Sequence, residues 1–308
     1  MSRKLFHSLP FQQAGPFSVG LDRLSPLTGV DLANIRLALS SSSSSNQKRM
    51  TTPRIEPPAQ TTRHAAVLLG LCNTGDRGPG LILTVRSQKM RTHPGEISFP
   101  GGHQDPQIDQ SLLGTALREA HEEVGLVPQQ MELLGSLEPL VSNSGSTLVW
   151  PFVVFIHSLE HQSAFSTPAP MIPRLMSPLA TKPLRSPALE DFRGKHQVAE
   201  VELVFQISLA ALLEPDRQSP SSFRNDPQRP YLEWNVEPEI FSARNNAAYT
   251  RPPEGPTNTS PTNHKLWGLT GWLIQLSNLF SYSRCTFPNY CLRSKIAEGG
   301  LMLLLQLL

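Results

Sequence analysis

The sequence predicts an α/β domain. Three observations carry the prediction: short apolar runs of strand length, an amphipathic helix set among them, and turn-rich polar joins. The first two strands are expected at His64–Cys72 (HAAVLLGLC) and Leu81–Arg86 (LILTVR), parted by the turn-forming NTGDRGPG. A helix follows over 111–124. Stepping about 100° per residue, Leu112, Leu113, Ala116, Leu117, Ala120 and Val124 share an arc of about 140°, and Gly125 is placed to end the helix. Apolar runs at 131–140 and 148–157 extend the sheet, and Val198–Phe205 (VAEVELVF) resumes it. A short helix is expected at Leu209–Leu213 and a last one at Leu266–Phe280.

Around this core lie segments of different texture. Residues 1–60 are expected to be a disordered extension: they hold six consecutive serines, Ser40–Ser45, and then Pro53, Pro57 and Pro58. Their basic, serine-rich, acid-poor composition fits a mitochondrial transit peptide, the alternative being a plain extension on a cytoplasmic or peroxisomal protein. The domain is expected over 62–280, with proline-rich insertions at about 163–195 and 214–263. Residues 281–308 read as a tail whose closing LMLLLQLL is too short to span a bilayer.

With 39% apolar and 17% charged residues among 308, the chain has the material for a sizeable core. Lys+Arg 27 against Asp+Glu 25 leaves +2, too balanced for a nucleic-acid clamp or a polybasic membrane binder. Cys72, Cys285 and Cys291 show neither a disulfide framework nor zinc spacing.

The predicted helix carries the chemistry. Glu119, Glu122 and Glu123 fall on an arc about 100° wide beside its apolar face. Taken alone, three glutamates suit a solvated acidic face. At the border of a buried face they repel one another and call for compensation by raised pKa values, basic partners or cations. Oxygen-only ligands with no cysteine or histidine alongside favour Mg²⁺ or Mn²⁺. Such a cluster suits hydrolysis of a phosphate anhydride.

The flanking residues decide between these readings. Arg118-Glu119-Ala120-His121-Glu122-Glu123-Val124-Gly125-Leu126 matches REUXEEXGU, where U is aliphatic, and Gly101-Gly102 lie ahead of the helix. The chain thus resembles the Nudix hydrolases. That resemblance implies an α/β/α sandwich around a mixed sheet, with a loop–helix–loop that binds divalent cations and cleaves a nucleoside diphosphate linked to another group. Upstream, Leu83-Thr84-Val85-Arg86-Ser87, Arg91, Gly95 and Ser98-Phe99-Pro100-Gly101-Gly102 follow LLTxRSxxxRxxxGxxxFPGG. This looks like the element found in the coenzyme A diphosphatase subfamily, and Trp267-Gly268-Leu269-Thr270 is similar to a WGLT segment near the end of that subfamily's domain.

The resemblance implies Glu119 and Glu123 as metal ligands with Glu122 beside them, and Arg118 as the residue orienting a carboxylate. It implies a substrate site built from Arg86, Ser87, Arg91, Gly95, Phe99, Gly101 and Gly102, taking coenzyme A or an acyl-CoA. Two arginines suit the diphosphate and 3′-phosphate, and the glycines let the backbone come close. Glu122 is the first candidate for the base that activates water, and Glu200 the second. His93 and His103 read as loop histidines. Two departures stand out: Gln110 occupies the position of the box's first glutamate, and the loop from Gly102 to Arg118 is two residues longer than usual, with Asp105 and Asp109 in it. The alternatives are a Nudix pyrophosphatase for NADH, a dinucleoside polyphosphate or an oxidised nucleotide, and a silent Nudix-like binding module.

Overall fold

A computed structural model describes residues 24–42, 63–75, 78–142, 146–159, 181–192, 199–222, 230–245 and 264–276. Its organising feature is a strand pair that joins at one end and parts at the other. β1 (Arg63–Asn73) and β2 (Pro79–Arg86) are antiparallel from Gly70 opposite Ile82 to Asn73 opposite Pro79. Further along, β2 runs beside β3 (Ile97–Ser98), and β1 runs beside β4 (Gly101–His103). Phe99-Pro100 therefore crosses the gap that opens between β1 and β2.

Three strands complete the far half of the sheet: β5 (Met131–Ser136), β6 (Leu140–Val141) and β7 (Thr147–Ile156). β7 runs parallel to β1, while β5 and β6 lie antiparallel on its other edge. β8 (Val201–Ser208) pairs antiparallel with β2. One parallel pairing among antiparallel ones makes the sheet mixed.

Strand side chains alternate between faces, and two buried layers result. Leu69, Leu71, Leu81, Leu83, Val85, Val153 and Phe155 line one face, while Leu68, Cys72, Ile82, Val154, Ile156 and Val204 line the other. The first helix, α1 (Gly29–Ser42), packs against β5. α2 (Leu112–Val124) covers the second face through Ala116, Ala120 and Val124. α3 (Leu209–Leu213), α4 (Glu237–Asn245) and α5 (Gly268–Leu276) contribute Leu212, Ile240 and Ile274 to the first. The expected helices-on-both-faces architecture is met.

Two expectations need correction. The segment 1–60 is not uniformly an extension: residues 24–42 belong to the folded domain, and its remaining residues lie outside the described ones. Leu24, Leu27 and Leu32 are buried in the core. Thr28 and Asp31 cap α1 reciprocally, Thr28 N–H donating to Asp31 Oδ2 at 2.8 Å. Arg36 Nη2 donates to Glu132 Oε1 at 2.7 Å, tying the helix to β5.

The described parts of both expected insertions are likewise built in. Within 181–192, Leu184 N–H donates to Leu27 O, and Phe192 is buried beneath α2's side of the sheet. Within 214–263, β9 (Gln218–Ser222) and β10 (Pro230–Asn235) pair, and β11 (Lys265–Leu266) completes a three-stranded sheet. Pro220 is accommodated because β9 is an edge strand, and Pro230 because it opens β10. Trp234 is fully buried, its Nε1–H donating to Leu212 O at 2.8 Å. The expected 281–308 tail lies outside the described residues, among which no helix is long and apolar enough to cross a membrane.

Candidate active site

α2 is fixed at both ends by its sequence. Ser111 Oγ accepts from Gly114 N–H at 3.0 Å at the N-terminus. Gly125 takes the left-handed conformation (φ 73°), donating to His121 O while Leu126 N–H reaches Ala120 O. The glutamate face between these ends is open to solvent at Glu122 but covered at Glu123. It packs on β4 and the 104–110 loop, so that Thr115 and Glu123 are buried on it.

β4 meets that face with two glycines. Gly101 N–H donates to Glu123 Oε2 at 2.9 Å. A side chain at Gly101 would stand 2.3 Å from Ala66 O, so only glycine allows this approach. A Cβ on Gly102 would lie 2.5 Å from the carboxyl carbon of Glu119. Both carboxylates therefore converge on Gly101-Gly102 at the start of β4, at the place where β1 and β2 separate. Glu123 is only 3% exposed. Its burial, aided by the charges of Glu119 and Glu200, pushes its pKa up to about 7 against the opposing effects of Gly101 N–H and Arg86. Burial also raises Glu119, with Glu122 and Glu200 adding to the effect and Arg118 opposing it.

Arg118 organises the cluster. Its Nε and Nη2 donate to the two oxygens of Asp109 at 2.8 and 2.9 Å, a bidentate pair. Nη1 donates to Glu122 Oε2 at 2.9 Å, and Nη2 lies 3.0 Å from Glu119 Oε1. Asp109 is buried and also accepts from Thr115 Oγ1 at 3.0 Å and Asp105 N–H at 2.9 Å. The Arg118 hydrogen bonds hold its carboxyl well below the usual carboxylate range despite burial. Asp109, rather than exposed Gln110, is thus the carboxylate anchoring the start of the box. Sequence reading noted Asp109 only as a neighbour. The available signal was the Asp105…Asp109 pair in a loop two residues longer than usual, which moves the carboxylate one position along.

The remaining candidates divide. The charge of Arg86 reaches Glu123, and its Nε is buried without a hydrogen-bond partner among the described residues. Glu200 is brought in from the turn before β8, its carbonyl accepting from Ser87 N–H at 2.8 Å and its charge felt by Glu119 and Glu123. Ser87 is buried, and its Oγ accepts from Lys89 N–H at 3.3 Å, a turn-forming contact. Phe99 is a core residue, 2% exposed. Gly95 (φ 71°) turns the loop back onto β2, donating to Arg86 O at 3.1 Å. Arg91 lies exposed on the same loop.

The candidate ligand atoms beside β4 are carboxylate oxygens, and the absence of a side chain at Gly102 lets the Glu119 carboxylate lie against the strand. Both features suit a small hard cation held by Glu119 and Glu123. Among the described residues no three His, Cys, Asp or Glu side chains form a ready-made ligand cluster. Glu122 is drawn toward Arg118 and has a 47% exposed side chain.

Residues 61–169, which hold the acidic helix face and the glycine strand it seats on, match the NUDIX domain family. Over 105 residues the chain is 46% identical to "Uncharacterized Nudix hydrolase NudL" of Photorhabdus laumondii, covering 32% of this chain and 54% of that one. Over 192 residues it is 30% identical to "Probable nudix hydrolase C6G9.05" of Schizosaccharomyces pombe, covering 62% and 55%. The chain thus spans about half the length of the curated relatives it matches. The NUDIX domain of Shewanella oneidensis NrtR, solved with ADP ribose, aligns with 31% of this chain and 60% of its own at 21% identity and a TM-score of 0.26.

Proposed function

We propose that the chain hydrolyses the diphosphate bond of coenzyme A or an acyl-CoA with Mg²⁺ or Mn²⁺, giving 3′,5′-ADP and (acyl-)4′-phosphopantetheine. The observation that carries the hydrolase reading is the convergence of Glu119 and Glu123 on Gly101-Gly102 near Arg86, whose Nε has no partner among the described residues. The choice of coenzyme A rests on the upstream motif from Leu83 to Gly102.

In this reading Glu119 and Glu123 hold the cation. When bound, it neutralises the diphosphate and acidifies the attacking water. Arg86 binds a phosphate oxygen through its forked guanidinium. Arg118 is a positioning residue, holding Glu119 and Glu122 from its anchor on Asp109. Glu200 takes the proton from the attacking water; its oxygen bonds to phosphorus, and the bridging P–O bond breaks with its electron pair leaving on the second phosphate. Glu200 is preferred over Glu122 as the base because Glu122 is held by Arg118 at the exposed edge.

A silent binding module would be favoured by Gln110, Leu203 and the two insertions; of these, Gln110 loses its force because Asp109 fills the anchoring role that Gln110 leaves open. Mitochondrial residence belongs to the same proposal. A leader would then end ahead of Leu24, since the residues from there to 42 include core side chains. The test is product analysis with coenzyme A, dephospho-CoA and NADH at fixed Mn²⁺, for the wild type and Glu123→Gln. Selectivity for the 3′-phosphorylated substrate, lost in the variant, is expected. Equal rates on all three would transfer the chain to another nucleotide, and no cation-dependent turnover above Glu123→Gln would leave the binding module.

A further inference from the structure

The Trp267-Gly268-Leu269-Thr270 segment plays no part in the acidic site. It nonetheless docks beside the loop that leaves it. Thr270 Oγ1 donates to Ile97 O on β3 at 3.2 Å, and Leu266 is fully buried, which pins the start of α5. Gly268 adopts φ 62°, a left-handed turn that leaves the Trp267 side chain 41% exposed. An indole this exposed borders a cavity of about 390 Å³, with Gln88, Gly95, Glu96, Glu233 and Lys265 also on its walls.

The cavity adjoins the catalytic groups through the backbone. Arg86 N–H donates to Glu96 O at 2.9 Å, and Gly95 N–H donates to Arg86 O at 3.1 Å. Gln88 lies two residues beyond Arg86, at most about 7 Å along the chain. The loop that leaves Arg86 therefore walls this cavity.

Its lining selects what enters. Two carboxylates, Glu96 and Glu233, face one lysine; Lys265 Nζ lies 3.5 Å from Glu233, and His93 Nδ1 lies 2.9 Å from Glu96 Oε2, so that Glu96 Oε1 is the oxygen offered to a ligand. His264 is committed to Glu237, its Nδ1 2.7 Å from Oε2. This balance disfavours a phosphate. An exposed indole face suits a planar ring, and carboxylate acceptors suit a ring bearing an amino group. We propose that the cavity is an adenine subsite, in which Trp267 stacks on the base and Glu96 accepts a hydrogen bond from its exocyclic amine. The proposal rests on the diphosphatase reading for the direction in which substrate lies, and it holds for any adenine-containing diphosphate.

The test is calorimetric titration of the full chain in EDTA with AMP, IMP and 4′-phosphopantetheine. Trp267→Ala is expected to weaken AMP about ten-fold, the size of one base–aromatic stack, with Trp267→Phe restoring most of it. Glu96→Gln should abolish the preference for AMP over IMP, since an amide serves either base. AMP affinity indifferent to Trp267→Ala, or 4′-phosphopantetheine as the ligand weakened, overturns the subsite. Should Trp267→Ala fail to fold, the AMP/IMP ratio in Glu96→Gln decides alone. AMP binding through Trp267 without hydrolysis of any CoA species would keep the subsite and remove the diphosphatase. Hydrolysis with AMP binding indifferent to Trp267 would do the reverse.

Discussion

Replacing Asp109 is expected to damage the protein far more than replacing its neighbour Gln110, although only position 110 coincides with the box pattern. Asp109→Ala removes a side chain that is 3% exposed and strips Arg118 of both hydrogen bonds of a bidentate pair. It also leaves Thr115 Oγ1 and Asp105 N–H without their acceptor. Breaking a buried ion pair from one side costs about 3–5 kcal/mol. Arg118 keeps Glu119 and Glu122 as partners and is 23% exposed, which places the loss at the low end, about 3 kcal/mol. Asp109→Asn keeps the shape and loses the charge, for about 1–2 kcal/mol. Gln110 is exposed, so Gln110→Ala should change stability by less than about 0.5 kcal/mol. Equilibrium urea unfolding at pH 7.5 measures all three. The sign with pH follows from the depressed carboxyl of Asp109: its stabilisation is complete above the unfolded value near 4 and fades as acid protonates the folded form, so wild type and Asp109→Asn converge in strong acid. A loss below about 1 kcal/mol for Asp109→Ala, or equal losses at 109 and 110, would refute this account of the anchor.

Two further outcomes follow from the same geometry. Glu123→Gln should stabilise the cation-free protein: with the folded carboxyl pushed up to about 7, ionising it costs the fold stability between about pH 4.5 and 7. The variant's advantage in EDTA is near zero at pH 4 and rises to as much as about 3 kcal/mol at pH 8, as thermal unfolding at the two pH values will show; a constant difference would contradict it. Gly102→Ala should cut cation-dependent turnover at least ten-fold, because its methyl occupies the place of the Glu119 carboxylate. Titrating Mn²⁺ into this variant should show weakened affinity with the unfolding midpoint little changed.

The core strands and α2 were legible because their patterns are local. Ala116, Ala120 and Val124 recur at helical spacing, and Ser111 and Gly125 punctuate both ends. Glu119 and Glu123 were legible for the same reason. What the sequence hid depends on distant contacts. The serine run that overlaps the end of α1 masks the Thr28–Asp31 cap and the apolar series Leu24, Leu27, Leu32, Ile35 and Leu39, which packs into the core where β5 and the 181–192 segment meet it. Pro220 and Pro230 read as loop residues until one is seen on an edge strand and the other opening a strand. Asp109 was missed because a pattern fixes a position, whereas Arg118 requires only a carboxylate within reach. Ser87 and Phe99 belong to a motif whose residues need not all face the substrate: one shapes a turn, and the other fills the core behind it.

The clustering of charge explains why this corner is where chemistry belongs. Asp109, Glu119, Glu122, Glu123 and Glu200 gather around two guanidinium groups. One of these, Arg118, is engaged by three of the carboxylates, and the other, Arg86, keeps a buried Nε without an acceptor among the described residues. Such an arrangement is poor as a stabilising network, since Glu123 is buried and Glu119 half-buried against the repulsion of their neighbours. It is well matched to a ligand that brings both signs at once. A divalent cation answers the excess of carboxylates at Gly101-Gly102, and a diphosphate answers Arg86. Neither alone satisfies both ends, so binding at the two places is expected to be mutually reinforcing: Mn²⁺ should tighten the site for a non-hydrolysable diphosphate by the same factor as the diphosphate tightens it for Mn²⁺, and Arg86→Ala should reduce that factor toward one while leaving Mn²⁺ affinity in the absence of diphosphate within about three-fold.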